Sequence, residues 1–102
     1  MEIEYKHSLT EADARARLER LGKYLGARHG IAVTWDNGKA RFNGKYMVVK
    51  IDGELTIGAS VVSFRGADPG FLWRKKASDY IQNKLENYLD PKTALNDLPV
   101  GA

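Results

Sequence analysis

The sequence predicts an α+β fold: a two-layer sandwich in which an antiparallel sheet of about four strands carries two helices on one face, in the order β-α-β-β-β-α. Two stretches, one from Ser8 to Gly30 and one from Gly66 to Leu89, repeat apolar residues every three or four positions on a single stripe. Between them, residues 31–64 alternate apolar and polar side chains and are punctuated by Asn-Gly and Asp-Gly pairs. Helices and a sheet that are each apolar on one side must cover one another. The 102 residues suffice for one domain, expected over 1–90, followed by a short, loose tail over 91–102.

Glu2 to Lys6 opens the chain as a short strand, with Ile3 and Tyr5 on the inner face and an edge position in the sheet. Ser8-Leu9-Thr10-Glu11 then matches a capping box, with the Ser8 hydroxyl on a first-turn amide and Glu11 reaching back. The helix that follows lines up Ala14, Leu18, Leu21 and Leu25. Arg15, Arg17, Glu19, Arg20 and Lys23 form its solvated face. Gly22 and Gly26 lie one turn apart beside the apolar stripe, each costing about 1 kcal/mol against Ala. Close approach of the sheet backbone explains them better than a dimer contact. Gly30 is the natural stop, and His29 suits the last turn.

In the meander, Asn37-Gly38 is read as a two-residue type I′ hairpin that faces Trp35 with Ala40 and Val33 with Phe42. A second turn is expected around Asn43-Gly44, after which Met47, Val49 and Ile51 resume the alternation. A third is expected at Ile51-Asp52-Gly53, with Gly53 in a bulge and Lys50 opposite Glu54. It would bring Val49 and Met47 against Leu55 and Ile57, in a last strand running through Ala59 to about Phe64. The outer face would show Thr34, Lys39, Arg41, Lys50 and Thr56 to water.

Asp68 and Pro69 are placed as cap and first residue of the second helix. Its stripe is Trp73, Ala77, Ile81, Leu85 and Tyr88, and Asp90-Pro91 ends it. In the tail, Leu95 and Leu98 are the residues able to dock.

Composition narrows the function. Hydrophobic residues at 43% and charged residues at 28% place the chain among globular proteins. A net charge of +3 permits an anionic partner without demanding one. With no cysteine there is no disulfide, thiolate zinc site or cysteine nucleophile. No signal peptide and no apolar run of about 20 residues is present, so the expectation is a cytoplasmic protein without a membrane span. His7 and His29 stand apart, outside any metal-binding spacing. Ser8, Ser60, Ser63 and Ser78 lack a nucleophile-elbow context, and Asp36, Asp52 and Asp68 read as turn and cap residues. The chain is read as non-enzymatic, with no catalytic residue, no cofactor and no metal.

What remains is the start of the second helix, where Phe71, Leu72, Arg74, Lys75 and Lys76 are the candidate partner-binding residues. Arg74, Lys75 and Lys76 read either as solvated charges or as phosphate contacts, and three cations at a helix start oppose the helix dipole, which argues somewhat against pure decoration. Phe71, Leu72 and Trp73 cannot all lie on one helical face. Either Trp73 and a neighbour pack under the first helix, or Phe71 or Leu72 stays exposed beside the cations. The latter suits an anionic, apolar surface or a docking partner.

Two resemblances sharpen these readings. Lysines opening a final helix after three strands are similar to a double-stranded RNA-binding domain, with Lys75-Lys76-Ala77 where that family has its lysine pair and alanine. That resemblance implies RNA as partner. Across Ile3 to Leu89 the chain resembles the small polyhydroxyalkanoic acid system family, bacterial proteins associated with storage-polyester gene clusters. The residues that carry it are His7-Ser8, the charged helix from Ala14 to Leu25, and His29-Gly30-Ile31 leading to Trp35 and Asn37-Gly38. Ile51-Asp52-Gly53 and Gly70-Phe71-Leu72 complete the pattern. It implies an accessory role at polyhydroxyalkanoate granules, with the polyester surface or another granule protein as partner. A homodimer through the Gly22/Gly26 face or a strand edge is a third expectation.

Overall fold

A computed structural model of the chain describes residues 1–46 and 49–101. The elements are β1 (Glu2–Lys6), α1 (Glu11–His29), β2 (Ala32–Asp36), β3 (Lys39–Tyr46), β4 (Val49–Ile57), β5 (Val61–Gly66), α2 (Arg74–Tyr88) and a 3-10 turn at Leu95–Asp97. The class is α+β, with an antiparallel sheet in the order β1-β5-β4-β3-β2. The sheet has five strands where about four were expected, so the element order gains a strand before the last helix.

After the first, the turns of the meander fall elsewhere than expected. Asn37-Gly38 turns as its sequence requires: both residues have positive φ, and Trp35 pairs with Ala40 and Val33 with Phe42. Asn43-Gly44 and Asp52-Gly53, expected as turns, lie inside β3 and β4 and face one another, Asn43 opposite Asp52 and Phe42 opposite Gly53. Their glycines make room instead of turning. A β-carbon on Gly44 would sit 2.9 Å from the Cα of Ile31, where the chain leaving α1 passes over β3. The β3–β4 connection lies beyond Tyr46, and the expected place of Met47 is outside the described residues. Val49, Leu55 and Ile57 do not face each other across a turn; they share one face of β4. The chain turns at 58–60, where the Gly58 amide donates to the Val61 carbonyl.

Alternation along the strands gives the sheet one buried face. Ile3, Ala40, Phe42, Leu55, Ile57, Val62 and Phe64 join Ala14, Leu18, Leu21 and Leu25 of α1 and Leu85, Tyr88 and Leu89 from the end of α2 in one core. On the other face Thr34, Lys39, Arg41, Lys50 and Thr56 are exposed, and Glu54 takes both Lys39 and Arg41 as ion-pair partners.

Helix α1 starts two residues later than the capping-box reading placed it. Thr10, not Ser8, is the N-cap, accepting the Asp13 amide on its Oγ1 at 3.1 Å. Ser8 is unavailable because the preceding turn is built by His7. Its Nδ1 accepts the Leu9 amide, and its Nε2 bonds the Gly58 carbonyl, each at 3.2 Å. This ties the end of β1 to the β4–β5 turn. Gly30 closes the helix at φ 68°, as its position implies. Gly22 faces the sheet, but what a β-carbon would meet there is the Val33 side chain at 3.2 Å, not backbone.

Two of the five charges assigned to water on α1 are instead structural. Arg17 is 5% exposed: its Nε donates to Asp13, and its Nη1 to the carbonyls of Tyr88 and Asp90. A cation of α1 thus caps the carbonyl end of α2, which offers no basic residue of its own. One turn on, Arg20 donates to the carbonyls of Asn96 and Leu98. The tail, expected to be loose, is docked by these bonds, by Leu98 in the core and by Tyr88 Oη donating to Pro99 at 2.7 Å.

Burial along α2 is graded. Leu85, Tyr88 and Leu89 are buried, whereas Trp73, Ala77 and Ile81 on the same stripe are only half-buried. Under this raised half lies an apolar cavity of about 110 Å³, floored by sheet residues including Phe42, Leu55 and Phe64. No helix among the described residues is long and apolar enough to cross a membrane.

Candidate functional site

The loop from Ala67 to Trp73 presents the residues singled out in the sequence. Asp68 organises it. Oδ1 accepts the Gly70 amide at 2.9 Å, and Oδ2 accepts Nε and Nη2 of Arg74 at 3.0 and 2.7 Å. The Arg74 bonds, with the Gly70 amide second, hold the Asp68 carboxyl below its ordinary value of 3.8. Asp68 therefore braces the loop and does not cap α2, and Pro69 is not its first residue. The helix begins five residues later, at Arg74, with Trp73 as N-cap. The intervening Gly70-Phe71-Leu72-Trp73 is a turn closed by the Trp73 amide on the Gly70 carbonyl, and Gly70 takes φ +100°.

This turn lifts two side chains off the body. Phe71 and Leu72 are 84% and 83% exposed and are the large apolar side chains left open among the described residues. Trp73 alone of the three turns back, lining the cavity under α2. Phe71 and Leu72 thus stand as neighbours at the tip, with the three cations on the first turn behind them.

The cations differ in what they meet. Arg74 is held by Asp68, and Lys75 Nζ lies 3.0 Å from Asp79. Lys76 has its Nζ 5.7 Å from the centre of the Trp73 ring. The positive charge at the tip is therefore partly balanced. Both carboxylates were legible at short spacing, Asp79 four residues after Lys75 on the helix.

Further down the same helix, Lys84 Nζ sits 4.4 Å over the Tyr24 ring and 5.5 Å from that of Tyr80. Tyr80 Oη meets His29 Nε2 at 3.3 Å. Burial first, then the charges of Arg28 and Lys84, lowers the His29 pKa from 6.5. The sequence reading assigned no role to Lys84; its i, i+4, i+8 relation to Tyr80 and Lys76 was the available signal. No group of His, Asp or Glu able to hold a metal ion occurs among the described residues.

No curated protein and no solved structure shows a significant match to the chain. The model of one protein family, described as "Putative polyhydroxyalkanoic acid system protein", matches residues 1–92. That span takes in every strand and both α-helices of the described residues, so the chain belongs to the polyhydroxyalkanoic acid system family.

Proposed function

We propose that the chain is a non-enzymatic accessory protein of polyhydroxyalkanoate granules in the cytoplasm, and that it adsorbs through the tip formed by Phe71, Leu72, Arg74, Lys75 and Lys76. The exposure of Phe71 and Leu72 carries the reading. Two adjacent large side chains held almost wholly in water by a braced turn have no packing role, and they gain by burial in an apolar surface. The cations behind them suit a polymer or granule protein that also bears negative charge. Family membership supplies the setting.

The same cations are the basis for a duplex-RNA reading. Arg74 and Lys75 already face Asp68 and Asp79, which weakens the local field that phosphates would meet. The apolar reading is therefore preferred.

Co-sedimentation with isolated granules in high salt, beside the Phe71→Ser/Leu72→Ser variant, tests the proposal. Adsorption of the native chain that persists in salt and is lost in the variant supports it. If the native chain stays in solution, the proposal fails. Binding to duplex RNA that falls steeply with salt would put the RNA reading in its place.

A further inference from the structure

The cavity under the raised half of α2 has a definite chemical character. Its walls come from both helices and three strands, and twelve of the fifteen described lining residues are apolar, among them Leu25 and Ile31 on one side, Phe42 and Phe64 below, and Ala77 and Ile81 above. The other three, Lys76, Tyr80 and Lys84, are spaced four residues apart and form a line down one edge of α2. Among the described residues, no acidic one lines the space.

Neither lysine has a carboxylate at ion-pair distance among the described residues; both ammonium groups lie over aromatic rings. A ring face attracts a cation without neutralising it. Lys84 is the better placed. It is half-buried, held over two tyrosine rings, and has the Tyr80 hydroxyl on the same edge. The Lys84 stem lines the cavity and its ammonium lies beside it, over the Tyr24 ring, and a charge next to an apolar space is complementary to a molecule with an apolar body and an anionic end.

We infer that this cavity is a binding site for a straight-chain monocarboxylate, the alkyl chain lying under Ala77 and Ile81 and the carboxylate meeting Lys84. The volume sets the scale. A cavity of about 150 Å³ accepts a six-carbon ring, so about 110 Å³ encloses roughly four or five methylene groups. Longer chains extend past the rim toward Trp73. The inference does not depend on the granule reading, because it concerns the isolated protein and a monomeric ligand.

Calorimetric titration with octanoate, against 1-octanol as the neutral counterpart, tests it. Octanoate is expected to bind at least about tenfold more tightly than octanol, the contribution of a charge-assisted contact. Lys84→Met should bring the two to similar affinity. Across butanoate, hexanoate and octanoate, affinity should rise about fourfold per methylene until the enclosed space is filled, then level off. Ala77→Leu fills the cavity from above and should abolish octanoate binding while leaving the circular dichroism spectrum unchanged. Absence of octanoate binding, equal affinity for octanoate and octanol in the native chain, or full binding by Ala77→Leu would each overturn the inference. The comparison on the native chain stands even if a variant does not fold.

Discussion

The ring of Phe64 lies against the bare Cα of Gly53, so closely that a β-carbon there would come within 2.5 Å of the ring's Cζ. Gly53 pairs with Gly66 across β4 and β5, and a β-carbon on Gly66 would also meet the Phe64 ring, at 2.9 Å. Phe64 in turn meets Phe42 edge-on, with ring centres 6.4 Å apart. One aromatic side chain thus roofs two glycines and contacts the next strand but one. Gly53→Ala should cost about 1–3 kcal/mol, the ordinary penalty for overpacking a filled core. Urea denaturation of Gly53→Ala, Phe64→Leu and the double variant measures it; the double variant should fall short of the sum, because Leu removes the ring that the new methyl strikes.

Arg17 and Lys23 are both cations of α1, and their loss should differ sharply. Arg17→Leu leaves the Tyr88 and Asp90 carbonyls without their donor and should cost about 2–3 kcal/mol. Lys23→Leu, at an exposed position, should change stability by less than about 0.5 kcal/mol. Equal effects in thermal or urea unfolding would show that Arg17 is not a cap for α2.

The tail depends on Tyr88. Burial, with Tyr24 second, pushes its phenol up to about 12, and its hydroxyl donates to Pro99. Tyr88→Phe should cost about 1 kcal/mol and speed amide exchange at 95–100 more than in the sheet. Because the folded value is raised, the native phenol's contribution is complete below its ordinary 10.0 and is lost as pH climbs through about 12. The variant should lose that alkaline dependence.

His29 works in the opposite range. Its pKa is lowered in the folded chain, chiefly by burial, so below 6.5 the unfolded chain binds a proton that the folded chain resists. Stability is therefore complete above that value and declines as pH falls through the lowered one. Urea midpoints at about pH 7.5 and about pH 5 should differ more for the native chain than for His29→Gln. Asp68, being held down, adds its own loss only at more acid pH, below 3.8.

How the fold was legible depends on whether a residue's role was local. Asn37-Gly38 announced its turn because positive φ at two successive positions is a local demand, and it formed as read. Gly44 and Gly53 look the same in sequence, yet each answers to something distant: the backbone at Ile31 for one, the Phe64 ring for the other. Arg17 reads as a surface charge because the carbonyls it serves are more than seventy positions away. At the tip, the residue types were visible and their exposure was not. Asp68, read as the cap of the second helix, proved to brace a loop, because its carboxylate is taken by Gly70 and Arg74.

The graded burial of α2 makes the helix a cantilever. Its far end is clamped by Leu85, Tyr88 and Leu89 in the core and by Arg17 on its last carbonyls. Its near end rests on Trp73, Ala77 and Ile81 above a void. Fewer buried contacts hold its first two turns than its last, so amide exchange is expected to be faster there than at Leu85 to Leu89. Phe71 and Leu72 sit just before this near end, on the turn that Asp68 braces. Any molecule that fills the space beneath would stiffen the beam, and with it the reach of the two side chains at its tip.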